Sequence, residues 1–254
     1  MNRDDRAMTR GVRQIVRFNW PFYAGATAAI AAAPIAIAGL PLAAAARIAT
    51  YAAIGLAALW IAGSLVASWV VYDRSSLMQW TWIGRALGWQ PGAWINIHAG
   101  LDESTPALRR LFRGTRGRVL DIFDPTEMTE PSIARARRLA RNDAVPEIAD
   151  YRSLPVPTGD VDTALLLLSA HELRSEDARA ALFGELQRVL GPGGRVIVAE
   201  HLRDWANFLA FGPGVLHFHS RRVWMRAFAS ARFAIQSEFA ITPFVRVFVL
   251  RRSS

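Results

Sequence analysis

Asp150-Tyr151-Arg152-Ser153-Leu154-Pro155 opens the stretch from which the fold of this chain can be read. Arg188-Val189-Leu190-Gly191-Pro192-Gly193-Gly194-Arg195-Val196-Ile197-Val198 closes it. Between them Asp162 starts an apolar run through Leu168, and Ser175-Glu176-Asp177 starts a helical segment ending near residue 190. A short apolar run bounded by turn residues fits a buried strand. A serine followed by two acids fits a helix start, because the hydroxyl caps an orphan N–H and carboxylates favour the positive end of the dipole. Gly-Pro-Gly-Gly cannot continue a helix, so the chain must turn before the next apolar run. Strand, helix, strand is the repeating unit of a parallel sheet.

Working outward, the same alternation predicts strands near 93–98, 118–123, 146–149, 162–169 and 194–200, and helices near 103–113, 130–142 and 175–190. A late β-pair near 232–239 and 243–251 completes an α/β sheet with covering helices. No internal repeat interrupts it.

The N-terminal part has a different character. Residues 21–46 and 48–71 contain no Asp, Glu, Lys, Arg or His, and only Arg47 separates them. Roughly 20 apolar residues suffice to cross a bilayer as a helix, so both stretches are long enough, and Gly39-Leu40-Pro41 offers the turn between them. Trp20 and Tyr23 at the entry, with Trp69 and Tyr72 at the exit, suit a shared interface. Arg3, Arg6, Arg10, Arg13 and Arg17 before the hairpin, and Arg74 and Arg85 after it, outweigh Arg47. The positive-inside rule therefore predicts a multi-pass inner-membrane protein with both termini and the α/β domain in the cytoplasm. A cleaved signal peptide fits less well, because the first apolar stretch is long and a second follows at once. A buried helical hairpin in a soluble protein is the other alternative. The expected organisation is a basic amphipathic segment over 1–20, a transmembrane hairpin over 21–72, a juxtamembrane connector over 73–91 and the α/β domain over 92–254.

The chain has 254 residues and a formal net charge of +9, and its 30 basic residues are all arginine. Such charge suits an anionic lipid surface or a nucleic acid; here topology accounts for it. There is no cysteine, which excludes disulfides, thiolate metal sites and cysteine nucleophiles.

The acid before Leu154-Pro155, the strand opened by Asp162 and the Arg-Val-Leu helix end stopped by Gly-Pro-Gly-Gly resemble class I S-adenosylmethionine-dependent methyltransferases, nearest the quinone- and lipid-methylating type. The resemblance spans roughly residues 92–200. It implies a Rossmann-like methyltransferase sheet, S-adenosylmethionine as cofactor, and a cofactor site beyond the carboxyl ends of the strands. The family's glycine loop aligns with Asn96-Ile97-His98-Ala99-Gly100-Leu101-Asp102, where His98 replaces the first glycine and only Gly100 survives. The resemblance thus assigns His98, Gly100 and Asp102 to the cofactor loop. It assigns Asp124, with Pro125 and Met128 after it, to the ribose hydroxyls, Asp121 being the alternative. It assigns Asp150, with Tyr151, to the adenine.

His98, His171 and His201 each fall at the carboxyl end of an expected strand, and His217 and His219 follow in the next connection. A hydroxyl or ring-carbon acceptor must lose a proton, and histidine titrates near working pH. His171 is the expected base, oriented by Glu172, with His201 the runner-up. Arg174, Arg203, Asn207, His217 and His219 are the expected acceptor-binding residues. No spacing such as His-Glu-x-x-His appears, so no metal is expected; a metal-dependent enzyme on the same fold is an alternative, as is a methyltransferase-fold scaffold or sensor that no longer methylates. The apolar stretch 207–218 beside the site points to a hydrophobic small-molecule or lipid acceptor. A nucleic-acid substrate is not expected, because Ser169-Ala170-His171-Glu172 stands where base-amino methylators carry Asn/Asp-Pro-Pro-aromatic.

Overall fold

A computed structural model describes residues 10–139 and 146–253. The chain forms two compact units, one of Met1–Arg74 with Leu209–Gly212, the other of Ser75–Phe208 with Pro213–Ser254.

In the first unit, α1 (Arg10–Phe18) leads into α2 (Trp20–Ala38) and α3 (Ala44–Trp69). The carboxylate of Asp73 accepts the N–H groups of Gly11 and Val12 at 2.7 and 2.8 Å. It thereby satisfies donors that the first turn of α1 leaves unpaired. Pro34 lies inside α2. The two segments Trp20–Ala38 and Ala44–Gln79 are long and apolar enough to cross a membrane, and only 6% and 17% of their apolar windows are buried. Core helices of a soluble domain bury far more of their surface. The first nine residues, with Arg3 and Arg6 of the expected amphipathic segment, lie outside the described residues.

In the second unit, a short α4 (Trp82–Leu87) precedes the sheet. Trp82, Ile83 and Leu87 are buried, and the Trp82 ring meets Phe239 edge-on at 6.2 Å. From Ser75 onward the expected connector thus packs as part of the α/β unit. The strands are β1 (Ala93–His98), β2 (Arg116–Asp121), β3 (Glu147–Ile148), β4 (Val161–Leu167), β5 (Leu190–His201), β6 (Phe233–Thr242) and β7 (Val245–Arg252). Covering helices are α5 (Thr105–Leu111), α6 (Pro131–Leu139), α7 (Glu176–Val189), α8 (Trp205–Phe211) and α9 (Arg221–Ser230). The sheet order is β3-β2-β1-β4-β5-β7-β6, with β1 to β5 parallel and β7 antiparallel to both its neighbours. The first five strands have the doubly wound order, which reverses between β1 and β4.

Ser175 caps α7 as expected, its hydroxyl accepting the Ala178 N–H at 3.0 Å. Asp162 ties the start of β1 to β4 by accepting the N–H groups of Gly92 and Ala93 at 2.8 and 2.9 Å. The Gly-Pro-Gly-Gly segment departs from the expected free turn, because β5 begins at Leu190 and runs through it with a register shift against β4. A Cβ at Gly194 would lie 2.5 Å from a methyl of Leu190 and 3.0 Å from the Asp162 carbonyl. A side chain there would crowd the Asp162 carbonyl of β4.

Candidate active site

The carboxyl ends of β1 and β4 are joined by Ser169, whose hydroxyl donates to the Ile97 carbonyl at 2.8 Å. On the β1 side His98 is buried, and its Nδ1 accepts the Gly100 N–H at 3.1 Å. Burial pushes its pKa down, so the ring acts as a neutral brace for the loop. Gly100 has φ +133°, and a Cβ there would lie 2.5 Å from Cγ of Arg137. Arg137, on α6, crosses this glycine and donates from Nη1 to Asp121 Oδ2 and Oδ1 at 2.8 and 3.0 Å. Its guanidinium lies 4.1 Å above the Phe123 ring. Asp102 caps α5: its Oδ1 accepts the N–H groups of Ser104 and Thr105, both at 3.0 Å, and the Asn96 amide at 3.2 Å.

Beyond β2 the ladder continues one residue, with Ile122 N–H donating to the His98 carbonyl at 2.9 Å. Asp124 then opens a turn in which its Oδ1 accepts Thr126 N–H and Oγ–H at 2.8 and 2.6 Å, bonds that hold its pKa down. Asp150 is exposed and accepts the Arg152 N–H at 2.8 Å. Tyr151 is buried and donates its hydroxyl to Glu127 at 2.6 Å, while Arg152 pairs with the other oxygen of Glu127. Burial, then Glu127, raises the Tyr151 pKa, so the phenol remains a donor.

On the β4 side Leu168 adopts φ +56°, a strained conformation for a branched residue. It turns the chain into the short 3-10 segment Ala170–Glu172. Glu200, fully buried near the end of β5, holds that segment. Its Oε1 accepts the N–H groups of Ser169, Ala170 and His171 at 3.1, 2.8 and 3.3 Å. Its Oε2 lies 2.6 Å from His171 Nδ1. The other face of the ring looks toward Glu172, with Nε2 3.5 Å from Oε1, and Nε2 of His217 stands 3.6 Å from that same oxygen. His217 Nδ1 is in turn 3.6 Å from Glu130. Burial disfavours the His171 imidazolium, but Glu200 and Glu172 outweigh it and raise the pKa to about 10. Burial likewise opposes a charged Glu172, yet the neighbouring imidazoles of His171 and His217 hold the carboxyl well below its usual range.

Of the expected site residues, the structure brings His171, Glu172 and His217 together. The others make these contacts. Arg174 donates to the carbonyls of Leu216 and His217, and Arg203 to those of Phe218 and Leu216. They fix the segment that carries His217. His219 points into the packing of α7 and α9, with Nε2 3.1 Å from the Leu173 carbonyl and its ring edge-on to Trp224. His201 is buried and stacked on Phe218, its Nδ1 2.9 Å from the Phe244 carbonyl. Asn207 is fully buried and donates to that carbonyl at 3.1 Å. Sequence reasoning missed Glu200, Glu127 and Arg137. A carboxylate ending the apolar run Val196–Ala199 was the available signal for Glu200.

Residues 109–198 match the family model described as a methyltransferase domain. A search of curated proteins returns no match. Among solved structures, the PH0226 protein from Pyrococcus horikoshii OT3 is similar at TM-score 0.52 and 15% identity, over 70% of this chain and 89% of that one. A SAM dependent methyltransferase from Aquifex aeolicus is similar at TM-score 0.50 and 16% identity, over 69% and 92%. Within the α/β unit, residues 109–198 are thus similar to a methyltransferase domain, and the sheet that holds them is Rossmann-like.

Proposed function

We propose that this protein transfers a methyl group from S-adenosylmethionine to a lipophilic acceptor, a quinone, phospholipid headgroup or other lipid metabolite, while anchored in the inner membrane by α2 and α3. The bound cofactor supplies an electrophilic methyl carbon on a sulfonium. Two observations fit such a nucleotide. Asp124 sits in an open turn that it closes through Oδ1, and Asp150 is exposed beside Tyr151. Asp124 would accept the ribose hydroxyls, since a carboxylate takes two donors. Asp150 and Tyr151 would border the adenine.

The observation that carries the acceptor side is the His171–Glu200 pair at the switch point between β1 and β4. Displacement at a sulfonium is governed by positioning and desolvation. Glu200 fixes the ring, Arg174 and Arg203 fix the His217 segment, and the His171–Glu172–His217 cluster handles the acceptor's proton as a unit. Leu216, next to His217, is exposed at 61%, and Trp205 at the start of α8 at 77%. Such large apolar surface suits a lipophilic ligand. Both chain ends and the α/β unit would lie in the cytoplasm, the side to which Arg13, Arg17, Arg74 and Arg85 point by the positive-inside rule.

The test is transfer of labelled methyl from S-adenosylmethionine into a total lipid extract, followed by identification of the labelled species. Label in a lipid or quinone is expected; label in water-soluble acceptors alone would refute the lipophilic assignment. One observation favours a second reading, a scaffold that binds no cofactor: Arg137 lies across Gly100. Calorimetric titration of the full chain with S-adenosylmethionine decides between them, and absence of binding would favour the scaffold.

A further inference from the structure

The separations within the His171–Glu172–His217 cluster are unlike those of hydrogen bonds. Charge-assisted N–H···O contacts fall near 2.7–2.9 Å as a rule, and His171 Nδ1 to Glu200 obeys this at 2.6 Å. The two contacts to Glu172 Oε1 do not, at 3.5 and 3.6 Å. One ligand atom from each of the three residues lies within 4.8 Å of the others. Ligand bonds of about 2.1 Å in a tetrahedral site put ligand atoms roughly 3.4 Å apart. The spacing is that of three donors able to share one ion. In addition, Glu172 Oε2 is a buried oxygen with no hydrogen-bond partner among the described residues, which is costly unless a cation compensates it.

We infer that His171, Glu172 and His217 form a binding site for a divalent first-row transition ion, Zn²⁺ foremost. Two imidazoles and one carboxylate are a ligand set that leaves coordination positions open. The outer groups agree with it. Glu200 accepts from the non-ligating nitrogen of His171, the carboxylate–histidine–metal arrangement that fixes tautomer and ring orientation. Glu130 stands 3.6 Å from the non-ligating nitrogen of His217. Arg174, the nearby guanidinium, stands 3.5 Å from that same nitrogen and donates to backbone carbonyls, which holds His217 in position. The three carboxylates, of Glu130, Glu172 and Glu200, give the site the negative charge a divalent ion needs. Such an ion would supply Lewis acidity toward an acceptor oxygen, in place of the proton handling that the cluster has without it. The site itself requires only these ligand atoms, so it stands whether or not the protein methylates.

The test uses the full chain in detergent, purified without chelator, then stripped and titrated calorimetrically with Zn²⁺; Co²⁺ serves as a visible-absorption probe. One ion per chain and an intense tetrahedral Co²⁺ band are expected. Glu172→Gln and His217→Ala should each abolish both, and Glu200→Gln should weaken Zn²⁺ binding about 10- to 100-fold. Circular dichroism establishes that each variant is folded. Absence of binding by the folded wild-type chain, or binding unchanged in Glu172→Gln and His217→Ala, would overturn the site. Methyl transfer that persists in stripped protein without Zn²⁺ binding would sink the metal and leave the transferase reading intact. Zn²⁺ binding without methyl transfer would do the reverse.

Discussion

Arg137 and Asp121 form a closed pair over the cofactor loop: Nη1 reaches both carboxylate oxygens, and the aliphatic stem lies against the Cα of Gly100. The Asp121 side chain is 7% exposed and that of Arg137 30%. The pair thus stabilises a buried acid while occupying space that a nucleotide would need beside the glycine. Arg137→Ala should raise the affinity for S-adenosylmethionine several-fold and lower stability by about 1–3 kcal/mol, since Asp121 is left without its partner. Calorimetric titration and thermal unfolding measure the two effects. A fall in affinity would mean instead that Arg137 helps hold the cofactor.

Cofactor binding and turnover should separate along the rim. Asp124→Ala removes an acceptor of charge-assisted bonds and should weaken cofactor binding about 10- to 100-fold. His171→Ala should spare cofactor binding and lower turnover about 10²- to 10⁴-fold. Equal loss of binding in both variants would refute this division of roles.

Much of the fold was legible because periodicity and punctuation report it locally. β1 and the starts of α6 and α7 fall within a residue or two of expectation, each marked by an apolar run, a proline or a capping serine. The site was legible in part. His171 and Glu172 follow a strand, so their side of the sheet is fixed by topology. His217 and His219 lie two apart on an irregular connection with no period, and nothing local shows that one faces Glu172 and the other Trp224. Arg137 was hidden among Arg135 and Arg138 on the same helix, because its role depends on a glycine 37 positions earlier that lacks a Cβ. Long-range pairs of this kind leave no trace in spacing.

His201 should make stability depend on acid. Burial, then the charge on His171, pulls its pKa down to about 4, against roughly 6.5 in an unfolded chain. Between those values the folded state binds fewer protons than the unfolded one. Its contribution is therefore fully present above pH of about 6.5 and is lost as pH falls toward 4, up to about 3 kcal/mol. Denaturant unfolding across that range should show the slope. His201→Asn, which keeps an N–H for the Phe244 carbonyl, should lessen it and leave the share of His219, whose pKa burial pulls down to about 3; an unchanged slope would assign the effect elsewhere.

The natural absence of cysteine makes topology directly measurable. Leu42→Cys lies between α2 and α3 next to the turn, and Ser253→Cys lies after β7. If the two helices cross the inner membrane with Arg13, Arg17, Arg74 and Arg85 inside, a membrane-impermeant maleimide added to intact cells should label position 42 and spare position 253 until the cells are broken. Label at neither position in intact cells, with both labelled on lysis and the protein recovered from the soluble fraction, would mean that the hairpin does not span. Label at position 253 alone would invert the orientation, and the arginine bias across the hairpin would then have been outweighed by the folded α/β unit.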